Sequence, residues 1–156
     1  MPSRPWYHWP AMGMGSGLAP WMPGTAGTVA AVPLYLLVAG HALLYTVVLL
    51  AIIAVGPWLC GRTAQDMRAR GTGGDPPAIV WDEWAGFLLT LWGLPFSWGT
   101  LAAGFLLFRF FDMLKPWPIS WADRKLHGGA GIMLDDLLAG LLAALVLRLL
   151  LWWHLL

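Results

Sequence analysis

From Ala42 to Leu59 the chain carries no charged side chain. A run of this length, once helical, is long enough to cross the hydrocarbon of a bilayer, where every backbone hydrogen bond must close internally. Ile132 to Trp153 is a second run of sufficient length, with Asp135 and Asp136 in its first turns. Its Arg148, near the far end, can snorkel to an interface. Ala26 to Ala39 is apolar but short and contains Pro33, which is marginal for a full crossing and suits a tilted or broken helix. These runs predict an all-α, polytopic membrane protein built as a small helical bundle. A composition 59% hydrophobic and 11% charged, with a mean hydropathy of +0.68, agrees. One domain, residues 1–156, is expected at this length. Within it, residues 1–24 are rich in Gly, Pro and Trp and read as irregular.

The breaks between the runs set the organisation. Gly40 and His41 separate the first two, and His41 reads as an interfacial side chain. Cys60 to Trp81 reads as a charged connector whose middle, GTGGDPP, is a flexible loop. Residues 84–94 and 97–111, divided at Pro95, read as a short or re-entrant helical hairpin that enters and leaves on one side. Pro116 and Pro118 stop the second helix, Ile119 to Leu126 is a short amphipathic piece, and His127 to Gly131 reads as a flexible connector. Trp58, Trp81, Trp84, Trp152 and Trp153 stand at run edges, where indole anchors at the headgroup level. The N-terminal segment has no apolar region before a small-residue cleavage site and does not read as a signal peptide.

Charge is placed unevenly. The stretch RFFDMLKPWPISWADRKLHGGAGIMLDD, Arg109 to Asp136, holds Asp112, Asp123, Asp135 and Asp136, half of the eight acids in the chain. Arg62, Arg68 and Arg70 lie in one connector, and Lys115, Arg124 and Lys125 in another. The positive-inside rule puts both in the cytoplasm, with Arg4 on the same side, and so gathers all eight carboxylates at one membrane face. Charge near lipid is costly, which makes such a gathering a functional signal. A net charge of +1 argues against a nucleic-acid partner.

Five carboxylates fall where helices meet that face: Asp82, Glu83, Asp112, Asp135 and Asp136. Oxygen ligands without clustered His or Cys favour a hard cation, Mg²⁺ before Zn²⁺, and Cys60 stands alone. Arg109, Asp112 and Lys115 share one face of a helix end, and with Arg124 and Lys125 they supply cations for an anionic substrate. Taken one at a time, each acid has a structural reading: Asp135 and Asp136 suit a helix N-terminus, Asp82 an N-cap, and Asp112 neutralises Arg109. GSGLAPWMPGTAGT, Gly15 to Thr28, ends in Thr25 and Thr28, either of which can cap the following helix. The N–H groups of that helix start would also suit a phosphate, although a Walker lysine is missing. Neither a Cys-x5-Arg nor an Asp-x-Asp phosphatase signature occurs, which leaves metal-activated water as the leading mechanism.

GSGLAPWMPGTAGT, IVWDEWAG, FRFFDMLKPWPI and HGGAGIMLDDLLAG resemble, in order and spacing, successive blocks of the phosphatidylglycerophosphatase A family, from about Gly13 to Gly140. That resemblance implies a Mg²⁺-dependent enzyme of the bacterial inner membrane that removes the terminal phosphate of phosphatidylglycerophosphate, leaving phosphatidylglycerol. It places Asp82, Glu83, Asp112 and Asp136 in catalysis, with Asp135 joining them around the cation. It sets Arg109, Lys115, Arg124, Thr25 and Thr28 toward phosphate. The family commonly has a His-Asp pair ahead of the IVWDE block, where this chain offers only Asp75. His127 reads as a polar loop residue, with proton donation to the leaving group as its alternative role. A CDP-alcohol transferase-like enzyme is the competing membrane chemistry, but its Asp-Gly-x2-Ala-Arg pattern is missing. A small channel or assembly factor is the non-enzymatic alternative, and it is disfavoured because Ala42 to Leu59 and Leu137 to Leu147 carry no charge.

Overall fold

A computed structural model describes residues 5–71 and 77–153. Arg4 and Asp75, together with most of the GTGGDPP loop, lie outside the described residues. Every regular element among them is helical. The elements are α1 (His8–Ala11), a 3₁₀ segment (Gly13–Leu18), α2 (Pro23–Val38), α3 (Ala42–Ala69), α4 (Trp81–Leu91), α5 (Trp98–Leu114), α6 (Ile119–Lys125) and α7 (Gly128–Trp152). Of these, α3 and α7 are long and apolar enough to cross a membrane by length and composition.

The middle of the bundle is α7, which packs against α3, α4, α5 and α6. Small residues make this possible. A Cβ on Gly140 would strike the carbonyl of Gly86 in α4, and one on Gly86 would strike the carbonyl of Asp136. The two backbones therefore run nearly in contact, with Ala139 and Ala143 fully buried beside them. Around this seam, the buried aromatic rings of Tyr35, Tyr45, Phe87 and Phe108 join α2, α3, α4 and α5. Tyr45 also donates its hydroxyl to the carbonyl of Leu88 at 2.6 Å, so its one polar atom is satisfied inside the core.

The hairpin is present as α4 and α5, and the Ser97 Oγ caps α5 by accepting from the N–H of Thr100 at 2.9 Å. Other boundaries differ from the sequence reading. Residues 1–24 are not irregular throughout: α1 and the 3₁₀ segment occupy part of them, tied to the start of α4 by the Val80 N–H donating to Ala11 O at 2.9 Å. α2 begins at Pro23, whose missing N–H costs nothing in the first turn. α3 does not end at Leu59 but runs to Ala69, because Ala, Gln, Met and Arg sustain a helix after the apolar run ends. It stops where Gly71 takes a φ of 94°. Nor is His127 to Gly131 a flexible connector. His127 is the N-cap of α7 and the glycines form its first turn, with Gly129 so close to Pro57 of α3 that a Cβ would fall on its carbonyl oxygen. Trp81 and Trp84 are not simple anchors: they are half-buried and stacked at 6.0 Å, and Trp81 donates its indole N–H to Ile52 O at 3.0 Å.

Candidate active site

The start of α2, the start of α4, the end of α5, α6 and the early turns of α7 enclose a cavity of about 400 Å³. All five carboxylates singled out in the sequence line it, and so do Arg109 and Lys115. The hairpin explains part of this: Asp82 and Glu83 begin α4, and Arg109 and Asp112 lie in the last turns of the returning α5. The Gly86–Asp136 backbone contact brings α7 to the same place.

Two ion-pair groups organise the walls. Arg109 Nη1 donates to Glu83 Oε2 and to Asp112 Oδ2, both at 2.5 Å. Glu83 Oε2 also accepts from the hydroxyl of Thr28 at 3.0 Å. Gly24 leaves room for this group, since a Cβ there would overlap Glu83 Oε1 and lie 3.1 Å from both terminal nitrogens of Arg109. On the other wall, Lys115 Nζ donates to Asp123 Oδ1 at 2.6 Å and to Asp135 Oδ2 at 2.8 Å. Burial pulls the Lys115 ammonium toward the neutral form, but its bonds to Asp123 and Asp135 outweigh that and hold its pKa above the ordinary lysine value. It remains a cation.

Asp82 and Asp136 differ from the rest. Each keeps one buried carboxylate oxygen, Oδ1 and Oδ2 respectively, without a hydrogen-bond partner. Buried acceptors of this kind are rare and call for a partner. With six carboxylates against two cations, the lining carries excess negative charge, so a cation is the fitting partner. Among the described residues no group of three His, Cys, Asp or Glu side chains is arranged to hold a metal by itself. Mg²⁺ commonly takes only one or two carboxylates and completes its shell with water and phosphate, and the two bare oxygens suit that pattern.

The helix-terminus reading of Asp135 and Asp136 does not hold, because α7 begins at Gly128 and no acid falls in its first turn, where the helix dipole acts. Thr28 is buried against Glu83, and its hydroxyl oxygen lies 3.0 Å from both Glu83 Oε2 and Gly24 O, which share its one proton. Thr25 is half-buried and is not among the lining residues. Arg124 is exposed, with its Nε donating to Ser120 O at 3.0 Å, and His127 is exposed too; neither lines the cavity. Asp66 stands apart, accepting from the Tyr7 hydroxyl and lying 3.2 Å from Nε2 of the buried His8. Sequence reasoning assigned no site role to Asp123, which falls in the short amphipathic piece, or to the apolar lining residues Met22, Ile79, Leu126 and Ile132. Proximity to Lys115 across the double-proline turn was the available signal for Asp123.

The family model of phosphatidylglycerophosphatase A matches residues 9–151. The phosphatidylglycerophosphatase A of Escherichia coli (strain K12) is 48% identical over 147 residues, covering 93% of this chain and 83% of that one. That of Haemophilus influenzae (strain ATCC 51907 / DSM 11121 / KW20 / Rd) is 41% identical over 153 residues, covering 95% and 90%. No solved structure matches the chain. With the family match spanning nearly its whole length, the chain belongs to the phosphatidylglycerophosphatase A family.

Proposed function

We propose that this protein is a Mg²⁺-dependent lipid phosphatase of the bacterial inner membrane. It hydrolyses phosphatidylglycerophosphate to phosphatidylglycerol and inorganic phosphate at the cytoplasmic face, a step of phospholipid synthesis. The family supports the substrate. The observation that carries the reading is the pair of bare, buried oxygens on Asp82 and Asp136 in a cavity that also holds two cations.

Depth supports the membrane placement. Along α7, Asp136 and Trp152 are sixteen residues apart, about 24 Å at the helical rise. The hydrocarbon of a bilayer is about 30 Å thick, so the acids fall near one headgroup plane when the tryptophans reach the other. Large apolar side chains stand exposed between these levels, among them Leu43 at 81% and Leu145 at 56%, as a lipid-facing surface requires. Arg62, Arg68, Lys115, Arg124 and Lys125 lie toward the site end of the bundle, which the positive-inside rule assigns to the cytoplasm.

Asp82 and Asp136 would hold the cation. A Mg²⁺ held there would supply positive charge to the phosphoryl oxygens and lower the pKa of a water. Lys115 and Arg109 orient the terminal phosphate, while Glu83 and Asp112 fix the guanidinium of Arg109. The rim of Met22, Leu126 and Ile132 meets the glycerol end of the lipid, so the phosphate enters without the acyl chains leaving the bilayer. The phosphorus–oxygen bond breaks, water supplies the oxygen retained by phosphate, and the lipid alcohol takes a proton.

The test is phosphate release from phosphatidylglycerophosphate in detergent micelles by the purified protein, with Mg²⁺ and then with EDTA. Release that requires Mg²⁺ supports the proposal. Release that survives EDTA keeps the activity and removes the metal, and no release from folded protein removes the activity.

A further inference from the structure

Two cations line the cavity, and carboxylates already hold both. Arg109 Nε and the third N–H of Lys115 have no carboxylate partner, but a phosphate that draws on either cation competes with the carboxylates that neutralise it. Arg109 is shared by Glu83 and Asp112, whose side chains are 11% and 13% exposed. Lys115 is shared by Asp135, 11% exposed, and Asp123, 46% exposed. Removing the cation from a buried carboxylate strands an uncompensated charge, whereas a half-exposed carboxylate is rehydrated by water and loses little. The cheapest exchange open to a phosphate is therefore to take Lys115 from Asp123 and leave its bond to Asp135 in place. The lysine stem allows this, since an ammonium carries three donors on a flexible chain and can swing without moving its helix. Asp123 has no need to move either, because α6 is fixed by the buried Ile119 and Ala122.

We propose that Asp123 is the displaceable counter-ion of the site: it holds Lys115 between turnovers, yields it to the terminal phosphate of the substrate, and reclaims it as inorganic phosphate leaves. Asp123 thus sets phosphate affinity and product release without touching the reacting atoms. The inference rests on the phosphatase reading for its role in turnover. Its binding part stands on the geometry of Lys115 alone.

Calorimetric titration of inorganic phosphate into the detergent-solubilised full chain tests it, with wild type, Asp123→Asn, Asp123→Glu and Lys115→Ala compared and steady-state kinetics run beside. Asp123→Asn is expected to bind phosphate roughly 2- to 5-fold more tightly, the scale of one partly exposed ion pair. Its KM should fall together with kcat, as product leaves more slowly, and Asp123→Glu should stay near wild type. In a Lys115→Ala background the gain from Asp123→Asn should vanish. A gain that persists there reflects general repulsion and overturns the proposal, as does unchanged or weaker phosphate binding by folded Asp123→Asn. Should Asp123→Asn fail to fold, Asp123→Ser carries the same comparison. Tighter phosphate binding by a protein that hydrolyses no lipid would retain the counter-ion and remove the phosphatase reading.

Discussion

Thr28 and Glu83, 55 residues apart in sequence, meet at 3.0 Å where α2 packs on α4, with the threonine hydroxyl donating to the carboxylate that also holds Arg109. The hydroxyl is fully buried, so in the proposed site Thr28 orients a carboxylate. Replacing Thr28 by Val should lower kcat roughly tenfold, the scale of one hydrogen bond to a charged acceptor, while Thr28→Ser keeps most of the activity. Steady-state kinetics separates the roles: a raised KM with unchanged kcat would assign Thr28 to the phosphate instead.

Asp82→Asn and Asp136→Asn preserve side-chain shape and remove the charge that each bare oxygen carries. Both should reduce phosphate release to background while the protein still inserts and melts near the wild-type temperature. Activity that persists in either variant takes that residue out of the site.

Lys115 contacts two carboxylates, neither of which is Asp82 or Asp136. Lys115→Ala should therefore raise KM for the lipid about tenfold or more and leave the Mg²⁺ concentration for half-maximal rate nearly unchanged. A shift mainly in the metal requirement would refute its assignment to phosphate.

At Gly24 the neighbours a methyl group would displace are the ends of the Glu83 and Arg109 side chains, not backbone. Those ends can move, so Gly24→Ala should cost little stability, within about 1 kcal/mol. The ion pair has to shift, and kcat should fall by about tenfold or more. Thermal melting and turnover measured on one preparation check both halves. At Gly129 the obstacle is the Pro57 backbone, and Gly129→Ala should lower the melting temperature instead.

What the sequence made legible follows from what constrains it. Hydrocarbon excludes charge, so the apolar core of α3, the long α7 and the five carboxylates gathered at one end could be read from residue types alone. The end of α3 could not, because Arg62 marks where the helix leaves apolar surroundings and not where it stops. Glycines misled at Gly128 to Gly131 for a related reason: the stretch reads as a flexible connector, whereas the missing side chain of Gly129 admits α3 at backbone distance and that of Gly131 admits the Leu126 carbonyl. Asp66 depends on the N-terminal segment folding back to bring Tyr7 and His8 onto it, which local periodicity does not record, and Asp123 depends on the double-proline turn that returns α6 to Lys115 eight residues away.

In the proposed membrane placement, the unbroken course of α7 makes it a gauge. Acids near one end and tryptophans at the other are held at a fixed separation by a rod that cannot stretch. A bilayer thicker or thinner than that rod forces tilt or local deformation. The depth at which the acids meet a headgroup then varies with the acyl-chain length of the surrounding lipid. Membrane thickness thereby becomes a variable of the reaction rate, acting on the enzyme from outside its site.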